Sequence, residues 1–277
     1  MTADPRVYDP YGEEDKCAKD GPGQAQQEGY LVQSLVRGLR VLVAVTNGAR
    51  SFQEVAAATG LNKATARRLL LTLRDSGFLY EEGRKFFPTP AVVALAGQYL
   101  DHHVLVRNSY SELERLAHAT GRSTNLAVLY GDQVLYLNRV AFGSRILEFD
   151  LHVGSTLPAH ATSLGKAILA FLPEERMQQL YGNGTLERFT DNTVKSLTAL
   201  QEELARIRCL GYSTSNREYR YSLVSFAAPI FNVKREVVGA INVSTDGHNS
   251  GGPELIVREL LLSSKRISYT LGYRDEN

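Results

Sequence analysis

The sequence predicts an α+β protein with two domains of unequal size. Two short helical patterns on either side of a glycine turn, followed by a hairpin, predict a winged helix-turn-helix within residues 31–90. Alternating strands joined by tight turns and flanked by helical stretches predict an antiparallel-sheet domain over residues 107–277. The apolar helical stretch 91–106 lies between them as a linker helix. A chain of 277 residues suits about two domains.

Charge is distributed unevenly along the chain, although the net charge is only +1. Residues 1–30 carry a net charge of −4, residues 31–100 carry +5, and the remainder is neutral. The acidic tail, residues 1–30, is rich in Gly, Pro and Gln and has no periodic apolar pattern, which predicts disorder. The alternative is a short helix that docks on the body. The basic block coincides with the predicted winged helix and favours a polyanionic partner.

The composition argues against several classes of protein. The N-terminal residues lack a basic start followed by an apolar run, and no stretch of about 18 apolar residues occurs, so neither secretion nor a membrane partner is expected. Two cysteines cannot form a disulfide framework, and no Cys/His cluster has zinc-ligand spacing. We therefore expect a cytoplasmic protein without a metal site or a cofactor.

Three helices and a wing account for the basic block. In the first helix, Arg37 and Arg40 lie opposite a set of apolar residues with helical spacing. This set comprises Leu35, Leu39, Leu42 and Val43. Ser51 and Glu54 form a capping box for a second helix that stops at Gly60. A third helix runs from Lys63 to about Ser76, and its apolar face comprises Ala66, Leu69, Leu70 and Leu73.

This arrangement suits DNA, because the major groove admits one helix whose N-terminal side chains reach base edges. The candidates for groove contacts are Asn62, Lys63, Thr65 and Arg67. The candidates for phosphate contacts are Arg37, Arg40, Arg68, Arg84 and Lys85. The alternatives are a helical bundle with solvated cations and a protein-interaction module, whose binding would be insensitive to salt.

The second domain is predicted to hold a hairpin of residues 124–130 and 133–137, a third strand over 145–151, and two strands over 223–231 and 237–244. A helix over 255–271 closes the chain. Between the strands, Thr162 or Ser163 can cap a helix beginning near Leu164, whose free amides favour an anion. The same segment fits Ser-x-x-Lys at Ser163 and Lys166, the nucleophile motif of some hydrolases, although the partner motifs are absent.

The segments SLVRGLRVLVAV and FQEVAAATGLNKATARRLLLTLRDSGFLY resemble the winged helix of the IclR-type bacterial transcription regulators, and the resemblance covers roughly residues 31–273. It implies a DNA-binding, ligand-responsive regulator with a GAF-like effector domain, a linker helix that takes part in dimerisation, and a dimer or tetramer on double-stranded operator DNA. Whether it represses or activates does not follow from the resemblance.

The resemblance also implies an effector pocket, with one wall formed by Phe149, Leu157, Ser163 and Leu164 and the other by Ser215, Ser225, Asn242 and Ser244. Apolar walls with hydroxyl and amide groups suit a small organic acid. His160 lies beside the first wall and either adds a hydrogen bond or is a satisfied semi-buried histidine.

The sequence departs from the family at its second signature, where Asn216 and Ser222 replace Asp and Gly. Val224 stands where Arg is common in the branch that controls aromatic-acid breakdown. Residues 154–155 and 157–163 nevertheless look like that branch, so an aromatic or dicarboxylic catabolite is the favoured effector.

Overall fold

The computed structural model describes residues 32–142, 151–182, 184–245 and 252–275. The chain divides into two compact units, with the boundary between His102 and His103. The acidic tail and Phe149 lie outside the described residues, as do residues 145–150 of the predicted third strand. Leu151 is described and belongs to no strand.

The first unit contains helices and a two-stranded wing: α1 (Gln33–Thr46), α2 (Phe52–Thr59), α3 (Lys63–Asp75), β1 (Leu79–Glu82), β2 (Lys85–Pro88) and α4 (Pro90–His102). The predicted capping box begins α2, because Ser51 Oγ accepts from the Glu54 amide and Glu54 Oε2 accepts from the Ser51 amide. Gly60 follows α2 with φ of +69°, a left-handed conformation that turns the chain toward α3.

A small core joins these helices to the wing. It is formed by Val41, Val45, Val55, Ala56, Ala66, Leu70, Leu79 and Phe86. The apolar face predicted for α3 is confirmed, since Ala66 and Leu70 are buried and Leu69 and Leu73 pack against this core.

Of the apolar residues predicted to share a face of α1, only Leu42 packs against this core. The helix buries Val41, Ala44 and Val45, whereas Leu35 and Leu39 remain more than half exposed. Both sides of α1 carry apolar residues, and the docking of α2 and α3 determines which side is covered. An apolar stripe is left outside the core of the first unit.

The predicted linker helix 91–106 is divided into two helices. His103 adopts an extended backbone, with φ −76° and ψ 110°, which ends α4 and precedes α5 (Val104–Thr120). Helix α5 therefore begins inside the predicted linker and continues to Thr120 in the second unit.

The second unit is built on one antiparallel sheet with the strand order β5-β4-β3-β8-β7-β6. Its strands are β3 (Ser123–Tyr130), β4 (Gln133–Val140), β5 (Thr156–Pro158), β6 (Ser213–Asn216), β7 (Val224–Phe231) and β8 (Val237–Thr245). Its remaining helices are α6 (Ser163–Leu169), α7 (Glu174–Tyr181), α8 (Leu197–Leu210) and α9 (Pro253–Thr270). The hairpins predicted from the sequence are confirmed, and the edge strands β5 and β6 are additional.

Helices cover the two faces of this sheet differently. Thr124 Oγ1 donates to Leu113 O of α5, and Ser264 Oγ of α9 donates to Pro229 O, so α5 and α9 lie on one face. Ser163 of α6 contacts Ser225 on the opposite face. We call this opposite face the α6 face.

Candidate functional site

The N-terminal end of α3 carries most of the predicted groove contacts. Asn62 Oδ1 accepts from the Thr65 amide at 2.8 Å, so the Asn62 side chain caps the helix. Lys63, Arg67 and Arg68 are exposed, and the Arg67 guanidinium lies 5.8 Å from the centre of the Phe52 ring. The structure therefore places three cations on the accessible part of α3 and gives Asn62 a structural role.

The wing presents two further cations at its tip. Gly83 and Arg84 have φ of +56° and +62°, which closes the turn between β1 and β2 and leaves Arg84 and Lys85 exposed. Arg74 at the end of α3 pairs with Glu81 of β1 at 2.9 Å and fixes the wing against the helix. Arg37 and Arg40 are exposed on α1.

The α6 face of the second unit carries two adjacent cross-strand rows of polar side chains, which we call the polar rows. Pairing of β4, β3 and β8 aligns Arg139, Asn125 and Asn242 in the first row. The second row crosses β3, β8, β7 and β6 through Ser123, Ser244, Ser225 and Ser215. Four of the residues that the sequence assigned to the pocket therefore lie on one surface.

Hydrogen bonds connect the first row to the second. Arg139 Nη1 donates to Asn125 Oδ1 at 3.1 Å, and Asn125 Nδ2 donates to Asn242 Oδ1 at 2.7 Å. Asn125 Nδ2 also lies 3.4 Å from Ser244 Oγ. Asn125 is fully buried and Asn242 nearly so, which makes these interactions stronger than at a surface.

Helix α6 faces the polar rows with its first residue. Ser163 Oγ lies 2.7 Å from Ser225 Oγ, and Thr162 caps the helix by accepting from the Gly165 amide at 3.2 Å. Ser215 Oγ donates to Ala161 O at 3.2 Å, so this hydroxyl holds the turn before α6. The predicted helix cap and the predicted wall at Ser163 are therefore parts of one local structure.

The apolar wall residues Leu157 and Leu164 are buried in the core between α6 and the sheet. Tyr136 belongs to the same core and lies on the same face as Arg139. Burial raises the pKa of Tyr136, and the nearby positive charge of Arg139 opposes that shift.

His160 is a packing residue in this arrangement. Its Nε2 lies 2.9 Å from Glu187 O, and its ring is in contact with Tyr181 and Phe189. Of the two alternatives for His160, the satisfied buried histidine fits these contacts.

Lys166 of α6 is bound by two carboxylates. Its Nζ lies 2.7 and 2.9 Å from the two Glu218 oxygens and 3.6 Å from Glu203 Oε1. Burial raises the pKa of Glu218, and the pairing with Lys166 opposes that shift. A lysine paired with two carboxylates is not available as the base that would activate Ser163 as a nucleophile.

Sequence reasoning missed Asn125 and Arg139. An amide inside the apolar strand 125–129 was the available signal, because a polar side chain at a buried position needs a partner. The position of Arg139 had no such signal.

Two protein-family models match this chain. The family model for the helix-turn-helix domain of IclR matches residues 34–83, and the model for the C-terminal domain of the bacterial transcriptional regulator IclR matches residues 97–265. The chain belongs to the IclR family of bacterial transcriptional regulators. An IclR-family protein is a regulator and not an enzyme, so the hydrolase alternative is wrong.

Among its relatives, the Pca regulon regulatory protein of Pseudomonas putida is 31% identical over 217 residues, covering 78% of this chain and 75% of that protein. A putative transcriptional regulator from Rhodococcus sp. RHA1 has a solved structure with 32% identity and a TM-score of 0.71, covering 87% of this chain and 98% of that one. An IclR homologue from Microbacterium hydrocarbonoxydans, solved in complex with 4-hydroxybenzoate, has 24% identity and a TM-score of 0.71, covering 86% and 98%. That last similarity shows the fold.

The IclR family combines a DNA-binding helix-turn-helix with a ligand-binding C-terminal domain, and both parts are present in this chain. In the described part of the chain, no helix is long and apolar enough to cross a membrane.

Proposed function

We propose that this IclR-family protein binds operator DNA in the cytoplasm as a dimer or a dimer of dimers and that a small organic acid on its α6 face controls that binding. The observation that carries the proposal is the pair of polar rows, which brings buried amide and hydroxyl groups and a half-buried guanidinium together on the face of the sheet that α6 covers. Such a surface suits a small ligand with both polar and apolar parts.

The DNA contacts are proposed for the exposed cations of α3 and the wing. Lys63 and Arg67 approach base edges from the first turns of α3, and Arg84 and Lys85 contact phosphates from the wing tip. Arg37, Arg40 and Arg68 add phosphate contacts. Thr65 is half-buried beside its cap and serves as a secondary groove contact.

Self-association is proposed through the apolar surfaces of the first unit. Leu35, Leu39 and Val43 are exposed along α1, and α4 buries none of its residues, leaving Val93 71% and Leu95 63% exposed. Exposed apolar stripes of this kind mark interfaces. A two-fold dimer would place two recognition helices about 34–36 Å apart on a palindromic operator.

The effector is proposed to be an aromatic or dicarboxylic acid. The described α6 face offers two adjacent rows of polar side chains as well as the buried apolar side chains of Leu157 and Leu164, and the homologue from Microbacterium hydrocarbonoxydans was solved with 4-hydroxybenzoate. Because a ligand shifts a conformational equilibrium only through different affinities for the two states, the acid must bind one spacing of the recognition helices more tightly.

The experiment is a fluorescence anisotropy titration with operator DNA selected from a random library, at several salt concentrations. We expect Lys63→Ala and Arg67→Ala to weaken binding and relax sequence preference, and Arg84→Ala to weaken all sequences alike and lower the salt slope by about one. Arg206→Ala, which removes an exposed cation of α8, is the matched control. If binding is independent of salt and unchanged in all three variants, the assignment of DNA as the partner is refuted, and the alternative of a protein-interaction module is favoured.

A further inference from the structure

A bulge in β4 brings Arg139 into the first polar row. The register of β3 and β4 shifts between Leu126 and Ala127, which leaves Leu137 as an extra residue in β4. Side chains alternate along a regular strand, so residues three apart would otherwise lie on opposite faces. With the extra residue, Tyr136 and Arg139 both lie on the α6 face.

The hydrogen bonds of the first row run in one direction. An arginine side chain only donates, so the Asn125 atom that accepts from Arg139 is the carbonyl oxygen Oδ1. The Asn125 amide nitrogen is thereby directed to the other side, where it donates to Asn242 Oδ1 at 2.7 Å. The direction holds whatever else Arg139 contacts, because a guanidinium offers donors to every partner. One residue at the end of the row therefore fixes how two buried amides are turned.

The row ends in two donors on β8. Asn242 has used its oxygen, and its Nδ2 lies 3.4 Å from Ser244 Oγ, beyond the usual N–H···O distance of about 2.7–3.2 Å. Ser244 Oγ is approached at 3.4 Å by both amide nitrogens, and its own O–H has no acceptor among the described residues. Ala227, the neighbour of Asn242 on β7, has only a methyl group. We call Asn242 and Ser244 together the donor corner.

A ligand group at the donor corner must accept hydrogen bonds at both of its polar atoms. An ionised carboxylate has two acceptor oxygens and no donor, whereas a primary amide turns an NH2 group toward one of the two donors. That donor is then buried without a partner, which weakens binding, and hydrogen bonds to a charged acceptor are also the stronger ones. Arg139 lies two strands from Asn242, about 10 Å away, and its positive charge acts in the same sense.

We propose that Asn125 is a positioning residue, which turns the donor corner toward the carboxylate of the effector and thereby restricts this site to acids. The direction of the buried amides makes the selection, and no cation has to touch the ligand. The ligand class is a carboxylic acid whose two carboxylate oxygens accept from Asn242 and Ser244. This assignment rests on the proposed function and adds to it the residue that selects the acid.

Asn125→Asp tests the direction, because it keeps the shape of the side chain and leaves it with acceptors alone. The new carboxylate still accepts from Arg139, whose charge compensates for its burial. It requires a donor from Asn242, so the Asn242 amide must rotate and present its oxygen to the ligand. A ligand with an N–H group is then favoured.

Binding of 4-hydroxybenzoate, 4-hydroxybenzamide, adipate and adipamide to the full-length protein is measured by isothermal titration calorimetry. We expect each acid to bind the wild type roughly 10- to 100-fold more tightly than its amide. In Asn125→Asp the acids should weaken at least about 10-fold, and the amides should bind about 5-fold more tightly than they bind the wild type. The gain for the amides is the decisive readout, because neither damage to the fold nor the added charge strengthens the binding of a neutral ligand.

Asn108→Asp is the matched control. It makes the same chemical change on α5, which lies on the other face of the sheet, where Asn108 Nδ2 donates to Thr270 Oγ1 at 3.1 Å. We expect it to keep the wild-type preference for acids.

Two variants of Arg139 test the origin of the direction and decide the matter if Asn125→Asp does not fold. Arg139→Lys keeps a side chain that only donates, whereas Arg139→Gln introduces one that donates or accepts. Both lose the other contacts of the guanidinium. We expect the lysine variant to keep the preference for acids and the glutamine variant to bind acid and amide within about 3-fold of each other.

Equal binding of acid and amide by the wild type, or amides that bind Asn125→Asp no better than the wild type, would overturn the assignment and leave a ligand-responsive regulator in place. If operator binding is normal and none of the four compounds binds, the proposed effector class falls together with it. Loss of salt-dependent operator binding in the wild type, with the preference for acids and its reversal intact, would overturn the proposed DNA binding alone.

Discussion

Gly165, in the first turn of α6, offers a decisive test of the packing described above. A Cβ atom at this position would lie 2.1 Å from Ala159 O and 2.2 Å from Ala159 Cα, and both are backbone atoms that cannot rotate away. Helix propensity alone predicts that Gly165→Ala stabilises the protein by about 0.5–1 kcal/mol. The steric contact with Ala159 predicts that the same substitution destabilises the protein.

The size of the effect follows from the distances. Ordinary contact begins at 3.4 Å, so α6 must recede from Ala159 by about 1.3 Å. A displacement of that size directed away from β7 would stretch the 2.7 Å contact between Ser163 and Ser225 beyond hydrogen-bond reach. Overpacking of this kind costs about 1–3 kcal/mol, which lowers the Tm of a domain this size by about 2–12 °C.

The assay is calorimetric unfolding of Gly165→Ala, with Gly38→Ala as the control. Gly38 also lies inside a helix, but its Cβ would meet only Leu69 Cδ2 at 4.0 Å. We expect a lower Tm and a weaker ligand response for Gly165→Ala, and an unchanged or higher Tm for Gly38→Ala. A Gly165→Ala variant as stable as the wild type, with a normal ligand response, would refute the reasoning.

Three further predictions concern single side chains. Lys166→Met leaves Glu218 buried without its cation and should cost about 3–5 kcal/mol in urea unfolding at pH 7. Because burial raises the pKa of Glu218, the variant should gain stability as the pH falls toward 5, and a flat pH profile would contradict this. Arg84→Asn should keep the Tm, since Asn tolerates the positive φ at the wing tip, while it lowers DNA affinity; a lower Tm would show that Arg84 supports the wing. Hydrogen bonds from the backbone amides of Arg50 and Ser51 hold the pKa of Glu54 below its ordinary value near 4.5. The stability that Glu54→Gln loses at neutral pH should therefore shrink as the pH falls below 4.5, and a constant difference in thermal unfolding would contradict the capping role.

The sequence predicted the features that local chemistry determines. The Ser51 capping box, the left-handed turn at Gly60 and the cap before α6 all follow from residue types at short spacing, and each is present. The buried side of α1 was not predictable in this way, because apolar residues lie on both sides and only the docking of the other helices selects one.

The site shows the same division between local and long-range information. Ser163 and Ser225 followed from family resemblance, whereas Arg139 did not, because simple alternation places it on the face opposite to Tyr136. A single extra residue in β4 reverses that assignment. Bulges of this kind depend on how two strands pair and leave no reliable trace in one strand's sequence.

The contacts of α6 also limit how a ligand can act on this site. Thr162 caps the helix, Ser163 bonds to β7, Gly165 touches the backbone of Ala159, and Lys166 is held by Glu218. These contacts lie within five consecutive residues, so the helix cannot shift at one of them without straining the others. A ligand that replaces Ser225 as the partner of Ser163 therefore either leaves α6 in place and stabilises this arrangement, or displaces the whole segment and disturbs the buried pair at Lys166. The stability of Lys166→Met with and without ligand distinguishes the two, because only displacement makes the effect of the ligand depend on that pair.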